Sequence, residues 1–169
     1  MKKIGLLSDT HSYMDEEILT AFKDCDEIWH AGDIGDSIVL DQLEEYKPTR
    51  AVYGNIDEQA LRHRLPEHHR FQLEGLDIWM THIGGYPGKY DKRVRESIRA
   101  NPPDLFVCGH SHILKVMPDK RLNLLHLNPG ACGHHGFHNM RTLLRFTLND
   151  GKISDMEVVE LGRRGLIKR

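Results

Sequence analysis

One pattern limits what this chain can fold into more than any other. Five times, a short apolar run stops at a side chain able to bind a metal. Ile4 to Ser8 ends at Asp9-Thr10-His11, and Glu27 to Ala31 ends at Gly32-Asp33. Thr49 to Tyr53 ends at Gly54-Asn55-Ile56-Asp57, and Leu76 to Met80 runs into Thr81-His82. Asp104 to Cys108 ends at Gly109-His110-Ser111-His112. Residues two apart on an extended chain point the same way, so a strand ending in Asp-x-His brings a carboxylate and an imidazole to one point beyond the sheet. Singly, Asp9 would serve as a helix cap, Asp33 and Asn55 as turn residues and His82 as a strand-end histidine. Their joint occurrence is what carries the signal.

The segments between the runs read as helices. Asp15, Glu16 and Glu17 open the first, with Ile18, Leu19 and Phe22 as its apolar stripe; Ser37 caps the second, which carries Ile38, Val39 and Leu43. The order β-α-β-α-β, with polar residues at the strands' C-terminal ends, predicts a parallel sheet with its site along that rim. Arg62 to His69, polar and containing Pro66, reads as a loop. Phe71–Leu73 and Leu76–Met80 flank Glu74-Gly75 as a hairpin. Gly84, Gly85, Pro87 and Gly88 exclude regular structure, and Asp91 to Ala100 reads as a helix with Val94 and Ile98 inward. Leu122–Leu127, Thr142–Leu148 and Ile153–Leu161 alternate as strands, the last two joined by Asn149-Asp150-Gly151.

A chain of 169 residues fits one domain, with Gly162 to Arg169 as a loose basic tail. A net charge of -2 supplies no field for extended nucleic-acid binding or an anionic membrane, and no apolar run is long enough to span one. The N-terminal apolar run is too short for a signal peptide. Three widely spaced cysteines, Cys25, Cys108 and Cys132, read as thiols in a reducing cytoplasm, with Cys108 in the core.

Imidazole, carboxylate and carboxamide ligands together suit borderline divalent ions: Mn²⁺ first, with Fe²⁺, Ni²⁺, Co²⁺ or Zn²⁺ as alternatives. Seven candidates (Asp9, His11, Asp33, Asn55, His82, His110 and His112) exceed the needs of one ion, so two ions sharing a carboxylate is the economical count. Two ions roughly 3.5–4 Å apart hold a hydroxide between them and clamp the oxygens of an in-line phosphoryl displacement. His30 and His126 lie within strand patterns and read as structural; His63, His68 and His69 read as solvated loop residues. Gly133 and Gly136 interrupt His134, His135 and His138, which argues against an ordinary third metal site; lining the substrate mouth is the lesser alternative for them, and the sequence assigns them no role. Lys89, Arg93, Arg95 and Arg141 are candidate phosphate contacts, though solvated faces are the commoner outcome for such residues.

The ordered set D-x-H, G-D, G-N-x-D, T-H and G-H-S-H, with Asn128-Pro129-Gly130, resembles the calcineurin-like metallophosphoesterases from Ile4 to about Gly130. In length the chain is similar to their small bacterial and archaeal phosphodiesterase branch. The resemblance implies a four-layer αββα sandwich with two mixed sheets. It implies one ion on Asp9, His11, Asp33 and His112, and a second on Asp33, Asn55, His82 and His110, with Asp33 bridging. Asp33, Asn55 and His110 are then the catalytic candidates, and homodimers or homotetramers fit the branch.

Ile56 departs from the resemblance. Many members have at this position a His that stabilises the reacting phosphate or protonates the leaving group. Its loss costs about 10²–10⁴-fold where the leaving group is poor. The expectation is therefore a small phosphodiester with an activated leaving group rather than an alkyl monoester. The alternative class is a non-enzymatic binding module, like the retromer scaffold subunit, which has this fold with degraded ligands.

Overall fold

The computed structural model describes residues 1–166. In chain order the elements are β1 (Lys2–Leu7), α1 (Glu16–Ala21), β2 (Glu27–His30), α2 (Ser37–Tyr46), β3 (Thr49–Ala51), α3 (Gln59–Arg64), β4 (His68–Leu73) and β5 (Leu76–Thr81). There follow β6 (Gly85–Tyr86), β7 (Lys89–Tyr90), α4 (Arg95–Ala100), β8 (Leu105–Val107), β9 (Leu114–Asp119), β10 (Leu124–Pro129), β11 (Met140–Asn149) and β12 (Lys152–Arg163).

Two five-stranded mixed sheets result, ordered β12-β11-β1-β2-β3 and β4-β5-β8-β10-β9. Alternation along the strands gives each sheet two apolar faces. On β1, Ile4 and Leu6 face the second sheet while Leu7 faces α1 and α2; on β8, Leu105 and Val107 face the first sheet while Phe106 meets Val94 and Ile98 at α4. Three stacked apolar layers follow, one under α1 and α2, one between the sheets and one under α4. This is the expected αββα sandwich. Phe22 of the first layer lies so close to Gly5 that any Cβ there would collide with its ring.

The parallel run β1-β2-β3 is as expected, and so is the hairpin turn between β11 and β12, where Asp150 and Gly151 both have positive φ (49° and 76°). Several local expectations need correction. Asp36, not Ser37, caps α2: its carboxylate accepts from the Ile38 amide at 3.0 Å while its own backbone stays extended. The stretch read as a loop from Arg62 begins within α3, anchored by Leu61 alone, and His68 and His69 belong to β4. One buried residue in two polar turns leaves almost no periodic signal. Gly85 to Tyr90 forms a small hairpin, because φ of +86° at Gly88 turns the chain back on itself. The helix foreseen from Asp91 begins only at Arg95. β9 went unforeseen because it is an edge strand with exposed Leu114, Val116 and Met117 and contains Pro118, which only an edge accepts.

The chain end is not loose from Gly162. β12 pairs Arg163 with Met140, and Arg164 donates to the Asn139 and His138 carbonyls at 2.9 and 2.7 Å. Residues 167–169 of that tail lie outside the described residues.

Candidate metal centre

The C-terminal ends of β1, β2, β5 and β8, with the loop after β3, meet at one rim, and all seven expected ligands come together there. Asp9, His11 and His112 form one group and Asp33, His82 and His110 another, with ligand atoms in each within 4.8 Å of one another. His11 Nε2 also lies 3.5 Å from Asp33 Oδ2, so that carboxylate faces both groups. Asn55 Oδ1 meets His110 Nδ1 at 3.0 Å.

Each carboxylate divides its two oxygens between protein and cage. Asp9 Oδ2 accepts from Ser8 Oγ at 2.6 Å and from the His110 amide at 3.1 Å. Its Oδ1 faces the Nε2 atoms of His112, His11 and His82 at 3.1, 3.8 and 3.9 Å and has no hydrogen bond. Asp33 Oδ1 accepts from the Ile56 amide at 3.1 Å, and its Oδ2 faces His82 Nε2 at 3.2 Å. His82 donates from Nδ1 to the Ala31 carbonyl at 2.7 Å, so the neutral ring turns a lone pair, not a proton, toward Asp33.

Asp9 Oδ1, His11 Nε2 and His82 Nε2 are thus buried without hydrogen-bond partners. Buried acceptors aimed at one another are costly unless a cation stands between them. The donor set (carboxylate oxygen, imidazole nitrogen, carboxamide oxygen) suits borderline divalent ions, and the residues present fit two of them.

The same need appears in the charge states. Burial opposes ionisation of Asp9 and Asp33, yet both carboxyls are held below their ordinary range by the surrounding histidines, helped at Asp9 by Ser8 and at Asp33 by the Ile56 amide. Burial likewise opposes a charge on His82, but Asp33, Asp9 and the Ala31 carbonyl outweigh it and raise its pKa. His110 moves down through burial and the neighbouring His82.

The backbone is strained where these side chains converge. Asp9, His11, Ser12, Asp33, His110 and His112 have φ of 54°, 45°, 71°, 57°, 70° and 62°. Left-handed backbone costs roughly 1–2 kcal/mol for an L-residue, and such strain clusters at functional sites. A Cβ at Gly54 would strike the Asp33 carboxylate, and one at Gly109 would strike Ser8, so both turns need glycine.

Supporting residues surround the cage. Asp57 accepts from the amides of Gly54, Ile34 and Gly35 at 2.7, 3.2 and 2.8 Å, tying the loops after β2 and β3 together. Asn128 donates to the Gly109 carbonyl at 3.0 Å and to Ser111 Oγ at 3.1 Å, which fixes the turn bearing His110 and His112. His30 is a structural neutral histidine: burial takes its pKa down to about 4, its Nδ1 accepts from Gly32 and its Nε2 meets Thr10.

A cleft of about 520 Å³ opens over the cage, lined also by Ile56, Ile113, His135, Phe137 and His138. His135 lies against His11 (ring centroids 4.6 Å apart) and His138 against His112 (5.3 Å). His134 turns away, against Tyr13 and the Gly165 amide. Among the basic candidates, Arg93 lines a smaller cavity of about 210 Å³ beside Asn55 and His82. Arg95 is spent on the Tyr90 carbonyl. Arg141 is neither solvated nor at the cleft: it is buried and donates to Cys132 and Leu161 carbonyls. With the Asp15 carboxylate at 3.4 Å, three acceptors from distant parts of the chain make that burial, which no local pattern announces.

With this geometry in place, the sequence matches the calcineurin-like phosphoesterase superfamily domain over residues 1–151, and the chain belongs to that family. A probable metallophosphoesterase of Methanothermobacter thermautotrophicus is 31% identical over 138 residues, 76% of each chain. Among solved structures, a novel archaeal phosphodiesterase superposes with a TM-score of 0.74 at 21% identity, over 93% of this chain and 99% of that one. A Vps29 mutant from Entamoeba histolytica superposes with a TM-score of 0.72 at 17% identity, over 95% and 99%. At such identities the two solved structures speak to the fold alone. No helix among the described residues is long and apolar enough to cross a membrane.

Proposed function

We propose that the chain is a dinuclear, metal-dependent phosphodiesterase acting on a small phosphodiester. The observation that carries this is the set of buried, partnerless polar atoms (Asp9 Oδ1, His11 Nε2 and His82 Nε2) grouped beside an open cleft that His11, Asp33, Asn55, His110 and His112 line. Asp9, His11, Asp33 and His112 would hold one ion, and Asp33, Asn55, His82 and His110 the other. Mn²⁺ is the first candidate, with Fe²⁺, Ni²⁺, Co²⁺ or Zn²⁺ as alternatives. When bound, two such ions supply Lewis-acid charge to the phosphoryl oxygens and raise the acidity of the attacking water.

The chain's own residues do the rest. Asp33 would be shared by both positions: the Ile56 amide holds its Oδ1, which leaves Oδ2 turned toward His11 and His82. Asp57 and Asn128 hold the two loops that aim Asn55 and His110, so the cage meets substrate with little reorganisation. Ile56 can neither protonate nor hydrogen-bond a leaving group through its side chain. This favours diesters with good leaving groups over alkyl monoesters. The unpaired thiols Cys25, Cys108 and Cys132 support a reducing, cytoplasmic setting.

Hydrolysis of bis-p-nitrophenyl phosphate by the Mn²⁺-loaded chain is the test. Wild type turns it over and Asp33→Ala abolishes turnover; an active Asp33→Ala protein overturns the assignment. The binding-module alternative, suggested by the Vps29 likeness, requires a wild type that neither takes up Mn²⁺ nor hydrolyses any diester.

A further inference from the structure

Three exposed apolar side chains stand around the cleft above the cage: Ile56, Ile113 and Phe137, at 43%, 61% and 98% exposure. Two come from segments that build the cage, since Ile56 follows Asn55 and Ile113 follows His112; Phe137 precedes His138, whose ring lies against His112. Their backbones are pinned. Ile56 donates to Asp33, Ile113 donates to Ser111 Oγ at 3.2 Å, and His138 next to Phe137 is held through its ring by Gly133 and through its carbonyl by Arg164. Single exposed apolar residues need no explanation, but three grouped at the mouth of one candidate site point to an apolar occupant. Among the described residues no Lys or Arg lines this cleft, so whatever extends beyond the phosphate meets no counter-charge from them.

Resting on the phosphodiesterase reading, we infer that the substrate carries a flat, apolar, uncharged ester group, an aryl ring or a nucleobase. The phosphate sits at the cage and this ring packs against Ile56, Ile113 and Phe137. A ring suits the site better than an alkyl chain for two reasons. Phe137 offers a face for offset or edge-on stacking, which gains over simple area burial. A cleft of about 520 Å³ has the size of a small-ligand site, which a phosphate with one ring suits and from which a long chain would protrude. Ile56 thereby acquires a role of its own: the position that brings no acid brings the floor of a specificity pocket.

Calorimetric titration of the Mn²⁺-loaded full chain with methylphosphonate, hexylphosphonate and phenylphosphonate tests this without turnover, since the carbon–phosphorus bond is not a substrate. Phenylphosphonate is expected to bind about 10-fold tighter than methylphosphonate, and tighter than hexylphosphonate. Phe137→Ala and Ile113→Ala should bring the phenyl and methyl affinities together; both side chains are exposed, so the fold loses little. Val158→Ala removes an exposed apolar group elsewhere, on β12 (46% exposed), and should leave the ratio as in wild type. Equal affinities, a hexyl compound as tight as the phenyl one, no binding of any phosphonate, or a Phe137→Ala ratio equal to wild type would each overturn the proposal. A phenyl preference without hydrolysis of bis-p-nitrophenyl phosphate would keep the ring site and remove the phosphodiesterase reading instead.

Discussion

The layer between the two sheets and the rim at their C-terminal edge are built on opposite terms. Between the sheets, Trp29 is fully buried with Phe71 and Phe146 edge-on to it (5.4 and 5.7 Å), and its indole N–H donates to Glu27. A few residues further along the same strands, carboxylates and imidazoles face each other unpaired on left-handed backbone. The core is where each group already has what it needs. The rim is where the fold keeps polar groups short of a partner and relies on the core to hold them there. On the other side, Asp57, Asn128 and His30, whose polar atoms are paired within the protein, brace the loops around the cage.

That contrast can be broken at the core first. Trp29→Ala removes the largest side chain of the inter-sheet layer and should cost about 3–5 kcal/mol, read by denaturant unfolding. A cost near zero would mean the sheets do not hold the rim. The next test concerns His126 of β10, buried beside Phe106 with Nδ1 unpartnered and its pKa taken by burial from 6.5 down to about 4. The unfolded chain therefore binds a proton in a window where the folded one does not. Its contribution is whole above pH 6.5 and falls by roughly 3 kcal/mol as pH drops to 4. His126→Gln should flatten that part of the stability–pH curve; an unchanged slope would contradict it. Per site, the smallest effect is that of satisfying the rim: Mn²⁺ at 100 times its Kd should raise stability by about 2.7 kcal/mol for each position filled, visible as a higher Tm that EDTA reverses. A Tm indifferent to Mn²⁺ would mean that the cage binds none.

How far the sequence reached follows the same division. The cage was legible because strand ends are marked locally: Asp9-Thr10-His11 and Gly109-His110-Ser111-His112 carry both ligand type and direction within three or four residues. The layered sheets were legible from apolar runs and from the resemblance. Three kinds of feature were not. α3 hangs on Leu61 alone, too little periodicity to separate it from a loop. β9 shows no inward–outward alternation because most of its side chains stand at an open edge. The burial of Arg141 depends on carbonyls at 132 and 161, contacts that exist only once β11 and β12 have paired. The mouth formed by Ile56, Ile113 and Phe137 was out of reach for the same reason, since three lone apolar residues far apart in sequence acquire meaning only when a cleft gathers them.

The most direct test counts ions. Wild-type chain and Asp33→Ala, equilibrated with Mn²⁺ and freed of excess, are assayed for bound metal by elemental analysis. Two Mn²⁺ per wild-type chain, and neither position filled when the shared carboxylate is gone, is the expected result. A wild type that holds no metal, or an Asp33→Ala chain that still holds two, would contradict a cage built around Asp33.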